Sequence, residues 1–116
     1  MLVVSMVLAI QMTPAQPTRS CFTTAHQFYT AERSAQICRN VGSRYCFSEA
    51  YKYRTLELAA DACRHVYSDL CMHDAMQYNT VWLSAQACAG MSSDDCYRVL
   101  RQQHGIVRSV EVCRGF

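Results

Sequence analysis

The stretch CRNVGSRYC at residues 38–46 sets two cysteines eight positions apart, and the same frame returns as CRHVYSDLC at 63–71 and CAGMSSDDC at 88–96. Around these frames the eight cysteines fall at 21, 38, 46, 63, 71, 88, 96 and 113, alternating intervals of 17 and 8 residues, an unbroken period of 25. Four units follow: CFTTAHQFYTAERSAQICRNVGSRY (21–45), CFSEAYKYRTLELAADACRHVYSDL (46–70), CMHDAMQYNTVWLSAQACAGMSSDD (71–95) and the shorter CYRVLRQQHGIVRSVEVCRGF (96–116). A repeat of this length indicates a stacked array, in which each unit buries its apolar face on its neighbours.

Within a unit the apolar residues keep helical spacing. Phe22, Phe47, Met72 and Tyr97 are followed by Ala25, Ala50, Ala75 and Leu100, then by Phe28, Tyr53 and Tyr78. A second stripe runs through Ala31, Leu56, Val81 and Ile106 to Ala35, Ala60, Ala85 and Val110, and on to Val41, Val66, Met91 and Phe116. Thr30, Thr55 and Thr80 precede the second helix of their units, and Ser43, Ser68 and Ser93 precede the first helix of the next. These residue types accept from otherwise unpaired backbone N–H groups at helix starts. Asp69, Asp94 and Asp95 then sit in first turns, where negative charge suits the helix dipole. The expected fold is all-α: a short α-solenoid of four 25-residue disulfide-stapled helical hairpins.

Eight cysteines in 116 residues, even in number and regular in spacing, indicate a disulfide framework and an oxidising compartment. No Cys-x-x-Cys or His-x-x-x-His pair occurs, so no metal site is expected. At the amino terminus, Leu2 to Ile10 is an uncharged apolar run followed by Thr13-Pro14-Ala15. Residues 1–15 read as a signal peptide cleaved after Ala15, and 16–20 as a linker. The run is too short to span a bilayer. A secreted or periplasmic protein, not membrane-spanning once the signal is removed, is expected.

Two disulfide schemes fit a row of hairpins. A turn near Tyr29-Thr30 brings Cys21 level with Cys38, and a seam near Gly42 brings Cys38 level with Cys46 equally well. The Cys-x7-Cys frames Cys38/Cys46, Cys63/Cys71 and Cys88/Cys96 resemble those of secreted, cysteine-rich Sel1-like repeat proteins of bacteria, stacked helical hairpins related to the TPR type. That resemblance implies a helical-hairpin solenoid, and bridges that join one unit's last helix to the next unit's first. The family's units are longer and carry glycines after the first helix, so no binding residue is carried over from it. The ends of the array favour the other scheme. Seam bridges would strand Cys21 and Cys113, whereas Cys21–Cys38, Cys46–Cys63, Cys71–Cys88 and Cys96–Cys113 strand none.

For function, residues repeated in every unit read as architecture. Ser34, Ser84 and Ser109 share their position with Ala59 and read as small packing residues; His26, His65, His73 and His104 occupy four different repeat positions. No nucleophile and base are set at a recognisable spacing, so neither catalysis nor a cofactor is expected. Deviations from the repeat are more informative. Trp82 stands where other units have Glu32, Glu57 and Val107, and is read either as an exposed anchor beside Val107 or as a lid folded over the end of the core. The net charge of +2 is too small to indicate nucleic acid. It is uneven, however: +2 for 21–45, −1 for 46–70, −3 for 71–95 and +3 for 96–116, with Arg19 outside the units. Arg98 and Arg101, with Arg108 and Arg114, therefore offer a contact for an acidic partner. The expectation is a protein-binding or envelope-ligand-binding module, with a structural or stress-resistance role as the alternative. Alkylation of the oxidised, denatured protein without reductant is expected to add no mass; two labels, on Cys21 and Cys113, would show seam bridges instead.

Overall fold

The computed structural model describes residues 19–116, so the signal-peptide reading of 1–15 and most of the proposed linker lie outside the described residues. Among the described residues eight helices are formed: α1 (Cys21–Ala25), α2 (Ala31–Ile37), α3 (Arg44–Tyr51), α4 (Leu56–Ala62), α5 (Asp69–Ala75), α6 (Val81–Cys88), α7 (Asp94–Arg101) and α8 (Ile106–Cys113). No strand is formed among the described residues. None of these helices is long and apolar enough to cross a membrane.

The caps are those the sequence indicates. Oγ1 of Thr30, Thr55 and Thr80 accepts the backbone N–H of Arg33, Leu58 and Leu83, at 3.1, 3.3 and 3.3 Å. Oγ of Ser43, Ser68 and Ser93 accepts from Cys46, Cys71 and Cys96, at 3.0, 3.0 and 3.2 Å. Gly105 replaces the fourth threonine, and α8 starts without a side-chain cap.

The sulfurs join consecutive helices: Cys21–Cys38, Cys46–Cys63, Cys71–Cys88 and Cys96–Cys113, with Cα separations of 5.7, 5.8, 5.9 and 5.7 Å. The seam bridges implied by the Sel1-like resemblance are not the ones formed. Cys21 opens α1 and Cys38 caps the end of α2, so the bridge holds the start of one helix against the finish of the next and the pair runs antiparallel. Helix pairs then pack in chain order, α1 on α3, α3 on α5 and α5 on α7, with α2, α4, α6 and α8 in a matching row. Ala25, Ala50, Ala59, Ala60 and Ala75 are fully buried, which lets the helices approach closely, while Phe47, Met72, Val66 and Met91 fill the space between pairs.

Each seam carries contacts offset by about one repeat. Ser43 Oγ donates to Asp69 at 2.5 Å and Ser68 Oγ to Asp94 at 2.6 Å, so each serine caps its own helix and ties it to the next unit. The N–H of His65 donates to the carbonyl of Asn40 at 2.7 Å, and that of Gly90 to the carbonyl of His65 at 2.8 Å. Asn40, His65, Gly90 and Gly115, one per unit, all have positive φ, which ends the second helix of each pair. Arg64 reaches back to the carbonyls of Ile37 and Arg39, and Arg114 to that of Ala89. At the first seam Tyr67 lies over Gly42, where a Cβ would sit 2.4 Å from its ring.

One part of the expected apolar stripe is corrected. Phe28, Tyr53 and Tyr78 are 67, 70 and 67% exposed. Extrapolating helical spacing fails there because α1 and α5 stop at Ala25 and Ala75 and α3 at Tyr51, so these rings ride on the turns and swing outward. Phe116 is likewise exposed, unlike its counterparts Val66 and Met91. Ser34, Ser84 and Ser109 are buried as packing residues, and their hydroxyl oxygens have no hydrogen-bond partner among the described residues. A buried unpaired hydroxyl is destabilising, and Ala59 shows that a methyl fits the position. Ser84→Ala is therefore expected to raise stability by about 1 kcal/mol in urea unfolding with disulfides intact.

Candidate binding groove

A cavity of about 330 Å³ opens between α5 and α7. Leu70, His73 and Asp74 of α5, with Gln77 just beyond it, form one wall; Tyr97, Arg98 and Arg101 of α7, with Gln102, form the other. Of the four arginines singled out in the sequence, Arg98 and Arg101 line this groove.

Their roles differ. Arg101 Nε donates to Asp74 Oδ2 at 2.8 Å and its Nη1 to the carbonyl of His104 at 3.2 Å, so its guanidinium is engaged internally. Tyr97, only 1% exposed, donates its hydroxyl to the same Asp74 oxygen at 2.6 Å. Asp74 is thus clamped by two donors from the following unit, and the groove wall is fixed. Among the described residues Arg98 meets only Asp95, at 3.3 Å, and both side chains are largely exposed. Such a surface pair contributes little, so the guanidinium of Arg98 can exchange partners readily. On the opposite wall His73 is stacked under Tyr45, ring centroids 3.8 Å apart and planes 15° from parallel.

Burial, and then the hydrogen bond to the Asp74 carboxylate, hold the Tyr97 phenol well above its ordinary pKa. The hydrogen bond to Asp74 also raises Arg101 above its ordinary value. Chemically the groove combines an apolar floor of Leu70 and Tyr97 with two primary amides and one readily freed cation at the rim. That set suits a ligand bearing a carboxylate next to an apolar body. No group of three or more His, Cys, Asp or Glu residues among those described is arranged to hold a metal ion.

Trp82 and Val107 lie elsewhere. Trp82 is half-buried, and its ring is covered by the guanidinium of Arg54 from the preceding unit, 4.6 Å from the ring centroid. Trp82 packs against the core cluster, and Val107 is 62% exposed on α8. Tyr29 and Glu57 make the corresponding contact one unit earlier, as a hydrogen bond. The sequence reading missed the Asp74–Tyr97–Arg101 cluster, whose only trace is an acid, a phenol and an arginine set about one repeat apart.

The Tyr97 phenol gives a test by pH. A phenol whose pKa is raised on folding stabilises fully below its unfolded value of about 10, and that contribution is lost as pH rises toward the folded value. Chemical unfolding of the wild type and of Tyr97→Phe is therefore expected to show an advantage for the wild type at neutral pH that shrinks above about pH 10. A constant difference between the two would mean that the hydroxyl is not held in this way. Comparison with protein-family models, with curated proteins and with solved structures returns no match.

Proposed function

We propose that this disulfide-rich helical chain is a secreted or periplasmic binding module, and that its α5–α7 groove receives an acidic segment of a protein partner. The four disulfides favour an oxidising environment outside the cytosol. The observation that carries the binding reading is the placement of Arg98. It stands at the rim of a groove whose other cation, Arg101, is already neutralised by Asp74, and its own partner Asp95 is held loosely at the surface. A glutamate or aspartate carboxylate displacing Asp95 would gain the amides of Gln77 and Gln102, while an adjoining aliphatic side chain would cover Leu70.

The Sel1-like resemblance agrees with a repeat scaffold that presents one face to a ligand. A structural role without a ligand is the alternative, and the staple in every helix pair supports it. Amide chemical-shift titration separates the two, using a capped Leu-Glu-Glu tripeptide against Leu-Gln-Gln. Saturable shifts at Gln77, Arg98 and Gln102 with the acidic peptide, lost in Arg98→Ala and weakened by salt, are expected. Equal response to both peptides, or none to either, would sink the acidic-partner reading.

A further inference from the structure

The outermost helix pairs each expose a face that the inner pairs bury. Phe47, Met72 and Tyr97 are buried, as are Ala60, Ala85 and Val110, yet their counterparts in the first unit, Phe22 and Ala35, are exposed. At the opposite end the pattern is reversed. Val66 and Met91 are fully buried while Phe116 is 74% exposed, Ile37 is buried while Val112 is exposed, and Thr24 is buried while Val99 is exposed. In the interior the neighbouring unit covers these positions, so α1 with α2 and α7 with α8 present the two unmatched halves of one seam. Terminal units of a stacked array ordinarily turn a polar face outward, and these turn an apolar one.

Hydrogen-bonding groups are left over in the same complementary way. Arg64 donates to the carbonyls of Ile37 and Arg39, and Arg114 to that of Ala89, all in the preceding unit. Arg39 holds the same repeat position, is exposed, and makes no side-chain hydrogen bond or ion pair among the described residues. The N–H groups of His65 and Gly90 donate to the carbonyls of Asn40 and His65, whereas the N–H of Asn40 donates to none of the described residues. At the last unit the carbonyls of Arg114 and Gly115 accept from none of them. Donors therefore wait at one end and acceptors at the other.

From this continuity we propose that the chains associate head to tail, with α1 and α2 of a second copy seated on α7 and α8 as a fourth seam. The offsets of the inner seams set its contacts. Arg39 of the second copy donates to the carbonyls of Val112 and Arg114, and its Asn40 N–H to that of Gly115. Phe22 of the second copy covers Val99 in the relation of Tyr97 to Asp74, and Phe116 packs on the second copy's Val41, which with Phe22, Ala35 and Cys38 lines a cavity of about 240 Å³. Glu32 of the second copy meets His104 as Glu57 meets Tyr29. A second copy is the occupant because a helix pair of the same repeat presents these donors and apolar side chains in register. Arg98, Arg101 and Arg108 of the last unit are paired with Asp95, Asp74 and Glu111, so its net positive charge does not stand against Arg39. The contact uses different patches on the two copies, so each dimer still offers both faces and rows grow with concentration.

Sedimentation of the oxidised protein over a concentration series is expected to show a mean mass rising above that of one chain. Arg39→Glu blocks one face and Phe116→Asp the other; both positions are exposed, and far-UV dichroism with the absence of free thiols checks that each variant is folded. Each variant alone is expected to stay a monomer. An equal mixture of the two is expected to form a dimer and nothing larger, since one intact face of each kind remains. Arg39→Ala should weaken association about tenfold. Arg98→Ala, in the α5–α7 groove, should leave it unchanged, so this proposal and the acidic-partner reading fail separately. A wild type that stays monomeric at every concentration, variants that associate as the wild type does, or a mixture that remains monomeric would overturn the proposal.

Discussion

Everything in this fold depends on the covalent closure of each helix pair. Helices of five to eight residues are too short to persist alone in water, because the cost of nucleating each is spread over so few hydrogen bonds. Nor does the core compensate, since alanines form much of it. A bridge across 17 residues removes chain entropy from the unfolded state worth about 3 kcal/mol, and there is one for every pair. With each pair held at its open end, the capping threonines fix the second helix of the first three pairs at the turn end, and a small side chain suffices in the middle.

Stacking then needs direction and order. The αL residues at Asn40, His65 and Gly90 hand one backbone hydrogen bond from unit to unit, and the capping serines add a side-chain link at nearly the same offset. These contacts are generic, because any unit offers them to the next. Others differ by seam. Tyr29 meets Glu57 through a hydrogen bond, Arg54 meets Trp82 through its ring face, and Tyr97 and Arg101 grip Asp74. The generic set fixes spacing, while the particular set distinguishes one neighbour from another and shapes the α5–α7 groove.

Much of this architecture is legible in the sequence because it repeats. The helices and their caps follow from a period of 25 and from the residue types that end helices, whereas the cysteine pairing does not, because turn and seam bring neighbouring cysteines level alike. The contacts that make the binding surfaces are harder to read, since each occurs once. Asp74 looks like an ordinary helix acid until Tyr97 and Arg101 of the next unit are folded against it. Trp82 replaces a glutamate, which suggests exposure, yet the arginine at position 54 supplies a cover that no rule of composition announces. The outward rings of Phe28, Tyr53 and Tyr78 were hidden by the assumption that helical spacing continues past Ala25, Tyr51 and Ala75, where the chain has already begun to turn.

The pairing of each cysteine with its partner 17 residues on bears on how the chain acquires its shape. Eight cysteines can pair in about 105 ways, yet in this chain no bridge waits for a distant segment. As the polypeptide emerges into an oxidising space, the first hairpin can lock before the second has appeared, and each finished unit offers a ready template of backbone acceptors to the one behind it. Assembly of this kind proceeds in the direction of synthesis, one small closed step at a time, and a duplicated unit would inherit its own fastening without disturbing any other.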